Sequence, residues 1–255
     1  MNLLIHYIIY RFKAKGRHGI HSPFIYSFIN NCLITKIDKN FLIQRKLLFK
    51  RLKNNSEFIQ VKDFGAGSKS LGEKRKISTI FSTSSSKGKF SLLLYRITKH
   101  YSPKNILELG TSLGVGSIHL SQGNNNANTT TIEACPATHA QAQENFKQFR
   151  FSNINSIQAT FDDYLDSYSS EKFDLVFIDG HHDGNALIKY LEKLKPFTHN
   201  DTLFILDDIR WSESMFSAWK KIISDPYYNV SIDLFRMGIV TPRNQQKKEH
   251  FHLKF

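Results

Sequence analysis

From Lys104 onward, short apolar runs alternate with segments whose apolar positions recur every three or four residues, the periods of strands and helices in turn. Ile106, Leu107 and Leu109 predict a buried strand over 104–109, and further strands are predicted over 129–133, 154–159, 173–178, 202–206, 229–235 and 238–242. Helical spacing falls over 115–122, 137–149, 184–194 and 212–224. Such alternation requires a parallel sheet with helical crossovers. The last two strands are joined only by the tight turn Arg236-Met237-Gly238, so they must close the sheet as an antiparallel hairpin. Before Lys104, helical spacing recurs over 33–52 and 87–100, with a polar break at 82–88, and no internal repeat occurs.

The strongest motif follows the first of these strands. Glu108 precedes Gly110-Thr111-Ser112-Leu113-Gly114-Val115-Gly116, a G-x-x-x-G-x-G loop leading into a helix. Glycines there permit a sharp turn and close approach of a ligand to the backbone. Dinucleotide sites favour G-x-G-x-x-G, and a pyrophosphate would be repelled by a carboxylate as near as Glu108. A cationic ligand would not be. S-adenosylmethionine, with its ammonium and sulfonium, suits the acid better, which places an NAD-linked oxidoreductase behind a methyltransferase. Glu133 ends the next strand, where a carboxylate can accept both ribose hydroxyls.

Charge divides the chain. Residues 1–100 carry 20 Lys/Arg against 4 Asp/Glu, whereas residues 101–255 carry 15 against 18. This shift predicts a basic, mainly helical N-terminal cap over 1–100, a Rossmann-like α/β domain over 101–243 and a polar C-terminal tail over 244–255. A cap with a net charge of +16 could follow a phosphate backbone, so an RNA-directed methyltransferase or a nucleic-acid-binding module is the alternative function. It could equally recruit an acidic small molecule or an anionic membrane surface, or consist of solvated helix faces. Two cysteines, Cys32 and Cys135, without metal-type spacing imply a reducing compartment. The apolar run Leu3 to Tyr10 is too short to span a bilayer and lacks signal-peptide features, so no transmembrane segment and a cytoplasmic protein are expected. Oligomeric state is not legible.

From about Ser102 to Arg243 the chain resembles class I S-adenosylmethionine-dependent methyltransferases, in particular the catechol and caffeoyl-CoA O-methyltransferases. The resemblance rests on ILELGTSLGVG (106–116), TTTIEACP (129–136), FDLVFIDGHHD (173–183) and LFILDDIRW (203–211). RHGIHSPF (17–24), DFGAGSK (63–69) and SIDLFRMGIV (231–240) look like a bacterial group of such enzymes. It implies a three-layer sandwich, a seven-stranded mostly parallel sheet with a C-terminal antiparallel hairpin, and methylation of a small-molecule hydroxyl. It further implies that Asp179, Asp207 and Asp208 hold Mg²⁺, the third being Asp where the catechol enzymes have Asn. The family's lysine base is replaced by His182, and His181 stands where an aromatic ring flanks the adenine.

Catalytic candidates are therefore Asp179, His182 and Asp208. Cofactor candidates are Glu108, Gly110, Thr111, Ser112, Gly114, Gly116, Glu133, Asp179 and His181. The acids also admit a structural reading, Asp179 as a helix cap and Asp207 and Asp208 as anchors of loop amides. Trp211 and Trp219 divide between pocket wall and core. An Asn/Asp-Pro-Pro-aromatic loop for base amines is missing after FDLVFI, and neither cysteine is placed for pyrimidine C5 chemistry. The cap segment 17–24 and the 63–69 loop, rich in glycine and polar groups, are expected to wall the acceptor pocket.

Overall fold

The computed structural model describes residues 2–62, 73–84 and 87–255. Its helices are α1 (Leu3–Lys13), α2 (Pro23–Phe28, widening into a π turn through Leu33), α3 (Lys39–Asn54), α4 (Ile77–Ser84), α5 (Gly88–Tyr101), α6 (Val115–Gly123), α7 (Pro136–Gln148), α8 (Phe161–Ser167), α9 (Gly184–Leu194) and α10 (Glu213–Ser224). Strands β1 (Phe58–Val61) and β2 (Glu73–Lys76) form a separate antiparallel pair. The main sheet comprises β3 (Asn105–Leu109), β4 (Asn128–Glu133), β5 (Ile154–Gln158), β6 (Phe173–Ile178), β7 (Thr198–Leu206), β8 (Val230–Asp233), β9 (Gly238–Thr241) and β10 (Glu249–His252).

Strand order is β10-β8-β9-β7-β6-β3-β4-β5. The run β5-β4-β3-β6-β7 is parallel throughout, and β9 is antiparallel to both β7 and β8. This is the expected α/β sandwich and terminal hairpin, with Asp233 opposite Gly238 at the turn. The chain runs outward from β3 through β4 and β5, then returns to lay β6 on the other side of β3, and a crevice opens at the carboxyl ends where that order reverses.

Alternation within each strand builds two cores. Ile106, Phe177, Leu203, Ile205 and Ile232 face α2 and α5 on one side. Leu107, Leu109, Val176, Phe204 and Leu206 face α9 and α10 on the other, where Trp219 is 1% exposed. Trp219 is thus the core tryptophan, whereas Trp211 is 69% exposed. Because Ile25, Phe28, Leu93 and Leu94 of the N-terminal region belong to the first core, the charge boundary at residue 100 divides surface composition but crosses a continuous apolar cluster.

Three departures from the sequence reading follow from tertiary context. Residues 249–252, expected within a polar tail, add an eighth strand parallel to β8; it is an edge strand with Glu249 and His250 exposed, so its pattern reads as polar. The β1–β2 pair carries Phe58 opposite Lys76 and too few residues to show a period. Helix α8 spans only 7 residues, with Thr160 accepting from the Asp163 N–H at its start.

Candidate functional site

A cavity of about 380 Å³ opens at the carboxyl ends of β3, β4, β5 and β6. Gly110 and Ser112 line it from the glycine loop, Glu133 from the end of β4, and Asp179 and His181 from the end of β6. The ladder continues past the strands, Asp179 N–H donating to Leu109 O at 2.9 Å and Gly110 N–H to Ile132 O at 3.1 Å. Gly110 adopts φ +112°, and a Cβ there would stand 2.2 Å from the Asp179 carbonyl oxygen. No other residue lets the glycine loop and the β6 tip approach so closely.

Glu133 is fixed by two backbone donors, Ser112 N–H to one carboxylate oxygen at 2.8 Å and Cys135 N–H to the other at 2.9 Å. Each oxygen keeps a lone pair for a ligand hydroxyl. His181 Nδ1 lies 2.6 Å from the Tyr190 hydroxyl, and its ring meets Phe161 edge-on at a 6.5 Å centroid separation.

The other four cofactor candidates do not line the cavity. Glu108 is 1% exposed beneath the loop, accepting from the Ser117 hydroxyl and, at 2.6 Å, from Thr131 Oγ1. Burial pushes its carboxyl up to about 7 despite those bonds. Thr111 is 2% exposed and bonds Thr131 Oγ1 at 2.6 Å. A Cβ at Gly114, whose φ is +80°, would meet the Phe146 ring at 2.4 Å; one at Gly116 would meet Glu108 Oε1 at 2.2 Å. These residues set the height of the loop from below, and the Glu108 carboxylate is engaged by a buried hydroxyl network.

At the tips of β6 and β7 the acids meet an arginine. Arg236 Nη2 lies 2.7 Å from Asp207 Oδ2 and its Nε 3.1 Å from Asp207 Oδ1, while Nε also reaches Asp208 Oδ1 at 2.9 Å. Burial and the charge of Asp207 raise both the Asp179 and the Asp208 pKa, with Arg236 acting in the opposite sense. Among the described residues, Asp179, Asp207 and Asp208 do not bring ligand atoms within reach of one cation. Magnesium demands near-octahedral oxygen donors at about 2.1 Å, and a buried carboxylate chelating a guanidinium does not offer them. In this arrangement the expected Mg²⁺ set does not converge, and Arg236 pairs with Asp207 and Asp208 instead.

Asp233, His250 and His252 do come within reach of one point. Both Asp233 oxygens, however, accept from Arg210, at 2.9 and 2.6 Å.

His182, just past the tip of β6, stacks at a tilt 5.9 Å from Trp211. Left-handed backbone concentrates here: Ser112, His181, His182 and Asp208 are four of the eight non-glycine residues with positive φ among the described residues. Such conformations persist where the surroundings over-determine them, commonly at ligand sites.

Several cavity residues were invisible to motif reasoning. Thr160, Phe161 and Asp162 line it from the end of β5, where the rule that open sheets bind ligands at strand carboxyl ends would have found them. Val61, Lys62, Arg75 and Ile80 close it from the β1–β2 pair and α4, a long-range approach with no local signal. The 17–24 segment does not wall the site. Ser22 Oγ accepts from Gln246 at 3.4 Å, and Phe24 lies under the Arg243 guanidinium, which pairs with Asp201 near the start of β7. The 63–69 loop lies outside the described residues.

Residues 107–209 match a family model described as a methyltransferase domain. Three solved structures share the fold. The Podospora anserina methyltransferase PaMTH1 bound to SAH matches with a TM-score of 0.60 and 14% identity, covering 85% of this chain and 92% of that one. An O-methyltransferase from Bacillus cereus in complex with SAH matches at 0.56 and 16%, covering 84% and 95%. A Staphylococcus aureus protein assigned as a caffeoyl-CoA O-methyltransferase matches at 0.58 and 18%, covering 65% and 88%. Among curated proteins, none matches the chain significantly. The matched model runs from within β3 through the glycine loop, β4, β5 and β6 to the end of β7, so residues 107–209 carry a methyltransferase domain, in a fold shared with the O-methyltransferases.

Proposed function

We propose that the chain transfers a methyl group from S-adenosylmethionine to a hydroxyl of a small molecule. The observation that carries the reading is the cavity itself, about 380 Å³ at the carboxyl ends of β3–β6, with Gly110 and the Glu133 carboxylate on its wall. That volume falls within the range of small-ligand pockets. The cofactor supplies an already activated methyl on a sulfonium, so the protein has to orient, exclude water and move one proton.

Glu133, held by Ser112 and Cys135, would accept the two ribose hydroxyls. Gly110 and Ser112 would lie along the amino-acid end, and His181, braced by Tyr190, would flank the base. Asp179 faces the same cavity. On the acceptor side His182 stands within electrostatic reach of Asp208 and is the group suited to take the hydroxyl proton. Since Arg236 occupies Asp207 and Asp208, no step is routed through a divalent ion.

Calorimetry of the full chain with S-adenosylmethionine, S-adenosylhomocysteine and NAD, each with and without chelator, tests the cofactor half. Saturable binding of the first two, indifferent to chelation, is expected; NAD binding alone would overturn it. Transfer of a labelled methyl group to a panel of phenols and catechols tests the acceptor half.

A further inference from the structure

Helix α1 exposes Leu3, Leu4, Ile5, Tyr7, Ile8, Ile9 and Phe12, each at least 44% accessible and Phe12 88%. These are seven of the fourteen large apolar side chains exposed among the described residues. A helix this apolar is normally buried. Its inner face is occupied: His6 packs on Phe216 at 4.6 Å, Tyr7 and Tyr10 on Phe235 at 5.0 and 5.4 Å, and the Tyr10 hydroxyl donates to Leu253 O. At 3.6 residues per turn, Leu4, Ile5, Ile8, Ile9 and Phe12 make one continuous stripe pointing away from those contacts, with Arg11 along one edge and Lys13 along the other.

We propose that this stripe docks the protein on an anionic bilayer surface, α1 lying in the interface plane. Eleven residues span about 16 Å, so the helix is too short to cross, and none of the described helices is long and apolar enough to do so. A stripe of Leu, Ile and Phe edged by basic residues is the composition of an interfacial helix, whose long cationic side chains reach the headgroups while the apolar face enters the acyl boundary. Charge selects the occupant. No Asp or Glu occurs before Asp38, while Arg11, Lys13, Lys15 and Arg17 follow the stripe closely. A second copy would press the same cationic segment against itself, in chains that each carry +13. An anionic lipid surface supplies the missing counter-charge. The α1 contacts with Phe235, next to Arg236, would also put the acceptor side of the sheet near that surface. The proposal stands on α1 alone and does not require the methyl-transfer reading.

Co-sedimentation of the full chain with vesicles of pure phosphatidylcholine, and of phosphatidylcholine with about 30% phosphatidylglycerol, tests it. Binding to the anionic vesicles should exceed binding to the neutral ones by about tenfold or more and should weaken with salt. The outward triple substitution Leu4→Ser, Ile8→Ser and Phe12→Ser should lower it about tenfold or more while leaving thermal unfolding unchanged, and Arg11→Gln with Lys13→Gln should do likewise. No binding to either vesicle, or equal binding to both, would overturn the proposal. So would sedimentation of the wild type as a dimer that the triple substitution makes monomeric, since a second copy would then be the occupant.

Discussion

Arg236 chelates Asp207 through two nitrogen–oxygen contacts of 2.7 and 3.1 Å, joining the turn before β9 to the tip of β7. The Asp207 side chain is fully buried, whereas that of Arg236 is 36% exposed. Removing one partner of a buried pair costs about 3–5 kcal/mol, and partial solvent access to the guanidinium places this one at about 3 kcal/mol. Arg236→Gln should therefore lower the denaturation midpoint markedly, and pairing it with Asp207→Asn should restore part of the loss. If the two single effects simply add, the ion pair is not what holds the turn.

The same pairing bears on the metal question. Methyl transfer by the wild type should be indifferent to complete chelation, measured by labelled-methyl incorporation after exhaustive treatment with EDTA. Activity that disappears with the chelator and returns with Mg²⁺ would mean that Arg236 yields its place to a cation during turnover.

Glu133 is expected to dominate cofactor affinity. Two charge-assisted hydrogen bonds at about 1.5–3 kcal/mol each mean that Glu133→Ala should weaken S-adenosylmethionine binding more than about tenfold by calorimetry. Unchanged affinity would remove Glu133 from the ribose site.

Alanine at Gly110 would place its Cβ 2.2 Å from the Asp179 carbonyl, on top of a left-handed backbone. Alanine at Gly88, with φ +67° and nothing within 4 Å, bears only the backbone cost of about 1 kcal/mol. Gly110→Ala should thus destabilise well beyond Gly88→Ala in chemical unfolding and should abolish cofactor binding. Equal effects would show that the loop can rise from the β6 tip without loss.

Glu108 makes stability depend on pH with a defined sign. Its carboxyl titrates near 4.5 when unfolded and is pushed up to about 7 by burial in the fold. Between those values the native state binds the extra proton, so this group's contribution is fully present below about pH 4.5 and is lost as pH rises to about 7. The span corresponds to about 3 kcal/mol. Urea midpoints followed across that window should fall less steeply in Glu108→Gln than in the wild type, and identical slopes would show that Glu108 is not the titrating group.

Periodicity alone revealed the alternating strands and helices, the parallel sheet and its antiparallel ending. It also placed Gly110, Glu133 and Asp179 at strand ends. Those features depend on neighbours a few residues apart and on whether a side chain faces core or water, which a linear pattern records. The same pattern could not say that Glu108 turns under the loop rather than into the cavity, because that depends on Ser117 and Thr131 arriving around it. Nor could it pair Arg236 with acids 28 and 29 positions earlier, or bring Lys62 and Arg75 over the cavity from a hairpin ahead of the sheet. Strand register, the turn between β8 and β9, and packing of the N-terminal helices on the sheet decide those contacts. Each is a relation between distant segments, set by shape and charge once the sheet has formed, and this is why the glycine loop and the acids at the strand ends were legible in the chain while the pairing of Arg236 with Asp207 and Asp208 belonged to the tertiary structure.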